Sequence, residues 1–495
     1  MRFLKNLVFL AVSGAAAVMV AKAAAVTVAK AATVDTIIIG GGFSGLQTAK
    51  TLAAAGKSYL ILEARNRTGG RVKNAQLPVG GYTEVGGEFF GPTQDYAIDL
   101  AKELGVALFP VYSKGDTIYY LDGQRTRSPS TGIFGLVVPA TDPISLFQLA
   151  SVQSDLDDMA NTIKDVQQPW KSPKAAEWDK KSLGAWFNER GLTSDAMALL
   201  KSAIHSTFSA EPSDLSLLYV IAYIASAGDA KNPGTFERLT SIQDGAQMYR
   251  VVGGTEILAT KLADKLGNKN IVYNSPVKTV KKTSNGQYSV ILRNGTAFAS
   301  KSVVIAMSPP LAGRINYEPS LPAQRTQLCQ RMVMGTVGKA ISTYKTPFWR
   351  KQGLSGQVVS GTGTTRGVYD QSLSDNSVYA LLSFIEADEM KRLNDAPVSQ
   401  ITSEVSKDLV NYFGPQAANV TSWTVFRWAH EEFSLGGYAA VAAPGILTQF
   451  GAALSAPVGN IFFAGTESAD YWVGYIDGAL RSGERAAKQA IASLA

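Results

Sequence analysis

The chain has one cysteine, Cys329, and two histidines, His205 and His430, in 495 residues. A single thiol excludes an internal disulfide, a CxxC zinc site and a redox pair. The histidines lie far apart with no ligand spacing, so no metal is expected and each is read as structural. Charged residues make up only 18% of the chain, with a formal net charge of +7. No basic run is interleaved with aromatics, so no nucleic-acid partner is expected. Internal repeats and low-complexity linkers are absent. Long apolar runs are missing too: Leu7 to Val20 is short for a membrane span. That run follows the basic start Met1-Arg2-Phe3-Leu4-Lys5 and precedes the small residues around Ala21-Lys22-Ala23. Residues 1–25 therefore read as a secretory signal peptide and the protein as secreted, with a retained anchor as the rival. The last expected helix runs to the end at Ala495, so no C-terminal membrane anchor is expected.

Glycine carries the positive signal. Val34 to Ile39 is a β-branched run that reads as a buried parallel strand. Ser44 to Ala55 carries helix formers and stops at Gly56, and Ser58 to Leu62 gives a second strand. At the first turn of this βαβ unit, Gly40, Gly42 and Gly45 form G-x-G-x-x-G, with Phe43 and Ser44 between the last two. The first glycine permits the turn, the second admits a pyrophosphate, and the third allows close helix–strand packing. Free N–H groups and the helix dipole then meet the anion. Such a turn alone is a weak signal, but Glu63 closes the second strand about twenty residues later. A carboxylate there can accept from both ribose hydroxyls, which disfavours a 2′-phosphate and hence NADP.

The continuation Glu63-Ala64-Arg65-Asn66-Arg67-Thr68-Gly69-Gly70-Arg71 resembles the FAD-binding signature of the amine oxidase and phytoene desaturase superfamily. Paired glycines let the chain pass close to a cofactor, and the Arg71 guanidinium can meet its phosphates. More blocks follow in order: Glu84-Val85-Gly86-Gly87-Glu88-Phe89-Phe90-Gly91, Tyr344-Lys345-Thr346-Pro347-Phe348-Trp349-Arg350, Pro444-Gly445-Ile446-Leu447 and Gly465-Thr466-Glu467. Together they resemble the flavin monoamine oxidases, nearest to the animal mitochondrial enzymes, from about Val34 to about Ile491.

The resemblance implies an α/β fold, with a Rossmann-like FAD-binding domain interleaved with an α+β substrate-binding domain. The expected cofactor segments are residues 34–109, 251–325 and 431–495, and the substrate segments are 110–250 and 326–430. Lys339 sits where the family has a lysine that holds a water against flavin N5. Tyr438 and Tyr475 fall on the two tyrosines of the family's aromatic cage. Trp428 matches a tryptophan near the ring, with packing an equal reading. Val277 aligns with a residue whose backbone meets the adenine. Gly86, Gly87, Glu88, Gly465, Thr466, Glu467 and Ile476 complete the expected cofactor contacts. Thr207, Leu239, Thr240 and Gln247 align loosely with substrate-pocket residues.

Two departures sharpen the reading. Gly437 replaces the cysteine that tethers FAD in some monoamine oxidases, so FAD is expected to be non-covalent. L-amino acid oxidases carry an arginine shortly after the second-block glycines, whereas here Glu88-Phe89-Phe90 offers no cation for a substrate carboxylate. Glu88 itself is left open between the cofactor side, a substrate ammonium and neither. The implied activity is oxidation of a primary amine to an imine by hydride transfer to flavin N5. The imine hydrolyses to a carbonyl and ammonia, and O2 becomes H2O2. The implied partners are a small-molecule amine and O2, with a homo-oligomer left open. A polyamine oxidase or a related flavin oxidoreductase or desaturase is the alternative.

Overall fold

The computed structural model describes residues 33–129 and 141–494. The expected signal peptide, residues 1–25, lies outside the described residues. Among those described, no helix is long and apolar enough to cross a membrane.

The βαβ unit forms where the glycine pattern places it. Strand Val34–Ile39 leads into helix Phe43–Ala54 and strand Tyr59–Leu62. Both strands pair in parallel, Ile37 with Leu60 and Ile39 with Leu62. The first strand's other neighbour is the long strand Ala297–Ala306, and beyond it lies Ile461–Ala464, also parallel. One large sheet therefore draws strands from three separated stretches of chain. Both faces of its central strands are covered, which is why they read as continuous apolar runs. At its far edge, Val277–Lys282, Tyr288–Leu292 and Ala297–Ala306 form an antiparallel meander. Its turns fall at Gly286 and Gly295, both at positive φ.

Helix Ile476–Ser493 packs against helix Phe43–Ala54. The approach is close: a Cβ on Gly483 would lie 2.2 Å from the Ser44 carbonyl oxygen, and the Thr48 hydroxyl donates to the Gly483 carbonyl at 3.0 Å. A second sheet of seven strands runs from Ser422–Arg427 through Val337–Tyr344, Tyr379–Glu386, Gly367–Asp370 and Leu354–Ser360 to Asp116–Leu121 and Gln124–Pro129. It is antiparallel except where Leu354–Ser360 meets Asp116–Leu121. A short antiparallel ribbon pairs Leu108–Pro110 with Tyr249–Val251.

Residues 183–208 form two helices, Leu183–Asn188 and Ser194–Phe208. Gly191 takes φ +58° between them. The Thr193 hydroxyl then caps the second helix by accepting from the Ala196 N–H.

Candidate active site

One cavity is lined by residues of both large sheets. At one end stand Gly40, Gly42, Phe43 and Ser44, with Glu63, Ala64 and Arg65 beside them. Gly40 takes φ +109°, and a Cβ there would lie 2.6 Å from the Ala306 carbonyl oxygen. Gly45 does not line the cavity. A Cβ on it would lie 1.9 Å from the Gly40 carbonyl oxygen, so its role is close packing beneath the turn. Glu63 is buried, and its carboxylate accepts from the N–H groups of Gly41 at 2.6 Å and Arg65 at 2.8 Å. Gly70, Gly86, Gly87 and Val277 line the same space, as do Gly465, Thr466 and Ile476.

The other end is aromatic. Tyr438, Tyr475 and Trp428 line it together with Lys339. The Tyr475 ring packs against Trp472 at 4.9 Å and Tyr223 at 6.2 Å between centroids. Tyr438 packs edge-on against Phe384 at 6.1 Å. The Trp428 indole donates to the Val85 carbonyl at 2.7 Å, which fixes the ring. Burial pushes both cage phenols far above their ordinary pKa, so they stay protonated.

The lining suits a dinucleotide. Helix Phe43–Ala54 has no side-chain N-cap, and neither does helix Ile476–Ser493. Both helices begin at the cavity, so their first N–H groups are available to an anion or a polar ring edge. The Ser308 hydroxyl, buried and without a partner, also lines the space. Neither Cys329, His205 nor His430 lines the cavity, and Gly437 does. No side chain of the types that commonly tether a flavin through sulfur or imidazole therefore reaches the site.

Arg71 lines the cavity, and its guanidinium also donates to Glu467 at 2.6 Å and to the Tyr438 carbonyl at 2.9 Å, clamping the first stretch of chain to the last. Three expectations need correction. Glu467 is not in the cavity lining. It is buried between Arg71 and the Ala440 N–H, and although burial opposes it, the Arg71 charge holds its carboxyl below the usual range. Glu88 likewise points away from the cavity, into a buried cluster with Lys339, Arg250 and Gln371. Thr207, Leu239, Thr240 and Gln247 do not line the cavity at all. The Thr207 hydroxyl bonds back to Ala203 in its own helix, and the Gln247 amide donates to the Leu239 carbonyl. The Thr240 hydroxyl donates to the Phe236 carbonyl, and Leu239 is packed into the apolar core.

Several side chains were not singled out from the sequence. Glu386 stands behind Tyr438 and accepts its phenol proton at 2.7 Å. Lys278, Arg293 and Arg314 add cationic groups to the lining. Arg250 and Glu84, paired and fully buried, hold the turn after strand Tyr82–Glu84. Only Ser308 had a visible signal, since it follows a buried strand end, where ligands gather in open α/β sheets.

A glycine-turn cleft running into an aromatic chamber beside a buried lysine defines a dinucleotide-dependent oxidoreductase. The sequence profile described as flavin containing amine oxidoreductase matches residues 43–491, and the chain belongs to that family. It is 33% identical over 455 residues to the probable flavin-containing monoamine oxidase A of Dictyostelium discoideum, covering 92% of this chain and 97% of that protein. It is 34% identical over 463 residues to the flavin-containing amine oxidase of Oncorhynchus mykiss, covering 92% and 85%. Among solved structures, the cyclohexylamine oxidase of Brevibacterium oxydans IH-35A superposes with a TM-score of 0.86 at 31% identity, covering 93% of this chain and 99% of that one. A wild-type putrescine oxidase bound to putrescine also superposes with a TM-score of 0.86, at 29% identity and the same coverage. The protein is an oxidoreductase acting on amines, and FAD is its cofactor.

Proposed function

We propose that this protein oxidises a primary amine to an imine, which water converts to a carbonyl compound and ammonia, with O2 reduced to H2O2. The observation that carries the reading is that Tyr438 and Tyr475 line the same cavity as the glycine turn and Lys339. Its similarity to a cyclohexylamine oxidase and a putrescine oxidase supports a primary amine as the substrate class. FAD, when bound, supplies hydride acceptance and passes the electrons to oxygen.

The chain's own residues prepare the amine. The Tyr438 and Tyr475 rings flank it and exclude water. An apolar, aromatic surround favours the neutral amine, whose lone pair must drive loss of hydride. The ring faces then attract the positive charge that develops towards the imine. Glu63, held by two backbone N–H groups, would receive the ribose hydroxyls of bound FAD, and the uncapped helix starting at Phe43 would receive its pyrophosphate. The free N–H groups at the start of helix Ile476–Ser493, which begins at the cavity, would stabilise negative charge on the flavin ring. The cofactor is untethered, so denaturation releases it into the supernatant.

We further assign residues 34–109, 251–325 and 431–495 to a cofactor domain and residues 110–250 and 326–430 to a substrate domain. Residues 1–25 are assigned to a signal peptide, which N-terminal sequencing of the secreted protein checks. The deciding experiment for the activity is peroxide release by the purified holoenzyme across short, aromatic, polyamine and long-chain amines. Peroxide with at least one primary amine is expected, and silence across the panel overturns the assignment.

A further inference from the structure

A second, smaller cavity of about 50 Å³ adjoins the aromatic chamber. Among the described residues, the two spaces share no lining side chain. Chain neighbours divide them: Thr466 and Gly474 line the large cavity, while Glu467 and Val473 line the small one. Tyr223 completes the septum. It lines the small cavity, and its ring stands 6.2 Å from the Tyr475 ring. Its hydroxyl lies against Gly474, where a Cβ would meet it at 2.3 Å. Gly474 has no side chain, so the wall beside that hydroxyl is backbone alone.

The lining suits a small apolar guest. Helix Leu217–Ser226 presents Tyr219, Ala222 and Tyr223, whose i, i+3 and i+4 spacing makes one stripe. Trp170, Leu447 and Leu454 stand among the other walls. Most of the polar groups are already engaged. The Glu467 oxygens accept from Arg71 and the Ala440 N–H. The Ser468 hydroxyl donates to the Gly465 carbonyl and accepts from Arg485. The Tyr219 hydroxyl donates to the Ala440 carbonyl at 3.3 Å. A buried water needs about two to four polar partners, which these walls do not spare. A drug-sized ligand takes about 300 Å³ or more, so the space is also too small for a bulky amine. Gln167 is exposed and Trp170, Leu454 and Ser455 are half-buried, which sets the mouth at the surface. Trp170 packs over Gly451, on which a Cβ would lie 2.4 Å from the indole.

The amine and O2 differ in size and polarity. With an amine or its imine between Tyr438 and Tyr475, O2 arriving from that side must compete with it. We infer that the small cavity is the port for O2, which enters beside Trp170 and passes the Tyr223 ring, a swing of which joins the two spaces. The port does no chemistry itself; O2 becomes H2O2 at the flavin, with two electrons from the reduced cofactor and two protons. This rests on the amine-oxidase reading only for O2 as the electron acceptor.

Xenon, which binds empty apolar cavities, is the first probe. Crystals of the holoenzyme under xenon are expected to hold the gas in this cavity, and its absence there overturns the inference. The second test fills the cavity, with Ala222→Phe from its helix wall and Leu454→Trp from its rim. Each holoenzyme is reduced with dithionite and mixed with oxygenated buffer containing tert-butylamine. That amine has no hydrogen on its α carbon, so it occupies the cage without being oxidised. Both filled variants are expected to reoxidise about tenfold more slowly than wild type. Trp170→Ala widens the mouth and is expected not to slow reoxidation. Wild-type rates in the filled variants overturn the inference, and so does an equal loss in Trp170→Ala, which reports general damage. If Ala222→Phe loses its flavin, Leu454→Trp decides alone. Anaerobic bleaching by cyclohexylamine or putrescine reports separately on the amine-oxidase reading. Its rate is expected to be unchanged in the filled variants, and slowing equal to that of reoxidation overturns the port.

Discussion

The Tyr438 phenol donates to the Glu386 carboxylate at 2.7 Å, and both groups are buried. Burial raises the Glu386 pKa, while the Tyr438 hydrogen bond works against that rise. The bond sets the plane in which the Tyr438 ring meets the cavity. A charge-assisted hydrogen bond of this kind is stronger than a neutral one. Glu386→Gln is therefore expected to lower kcat/KM for amine about tenfold while flavin content holds, since one such bond contributes roughly 1.5–3 kcal/mol. Steady-state kinetics alongside the flavin-to-protein absorbance ratio checks this. Unchanged kinetics would show that the ring keeps its pose without the carboxylate.

Arg71 and Glu467 join residues 396 positions apart. Glu467 is almost wholly shielded, with its side chain 2% exposed. Arg71→Met leaves that carboxylate without its guanidinium, at an expected cost of about 3–5 kcal/mol. The Arg71→Met/Glu467→Gln pair is expected to recover part of the loss. Urea denaturation of the three holoenzymes measures it. A mild loss in Arg71→Met would mean that the clamp is dispensable.

The glycine turn makes a sharper contrast. Gly45→Ala forces a Cβ to within 1.9 Å of the Gly40 carbonyl oxygen, whereas a Cβ on Gly56 meets nothing within 4 Å. Gly45→Ala is expected to cost about 3 kcal/mol or more and to strip the flavin. Gly56→Ala, strained only by its φ of +67°, is expected to cost about 1–2 kcal/mol and keep it. Flavin content after gel filtration separates the two.

Much of the cofactor half could be read directly because its constraints are local. Gly40, Gly42, Gly45 and Glu63 lie within one βαβ unit, where spacing translates into geometry. Partners across the chain could not be read that way. The Arg71–Glu467 pair was invisible because its members lie 396 positions apart. Glu88 had no assignable role because its partner Lys339 lies 251 residues away. The loosely aligned Thr207, Leu239, Thr240 and Gln247 lie outside the cavity lining for a different reason: Thr207 is set by helix Ser194–Phe208, Leu239 and Thr240 by the short helix Phe236–Thr240, and Gln247 by its bond to the Leu239 carbonyl.

Asp477 gives a pH signature. It lies in the first turn of helix Ile476–Ser493, where burial pushes its carboxyl to about 6 despite the pull of Arg481. A carboxyl with a raised pKa holds its proton more tightly when folded. Its stabilising contribution is full below the ordinary carboxyl value of 3.8 and is lost as pH rises through about 6. Asp477→Asn cannot ionise, so its stability relative to wild type is expected to rise between pH 4 and pH 7, by up to about 3 kcal/mol. Denaturation midpoints at the two pH values give the difference, and parallel curves would contradict the assignment.

The most direct measurement is the anaerobic visible spectrum of the holoenzyme as amine is added, in wild type and in Tyr475→Ala. Wild type should lose its flavin absorbance with at least one primary amine, and Tyr475→Ala should retain its flavin yet bleach much more slowly. A wild-type spectrum unmoved by every amine, or a Tyr475→Ala variant that bleaches at the wild-type rate, would contradict an amine held between two tyrosine faces.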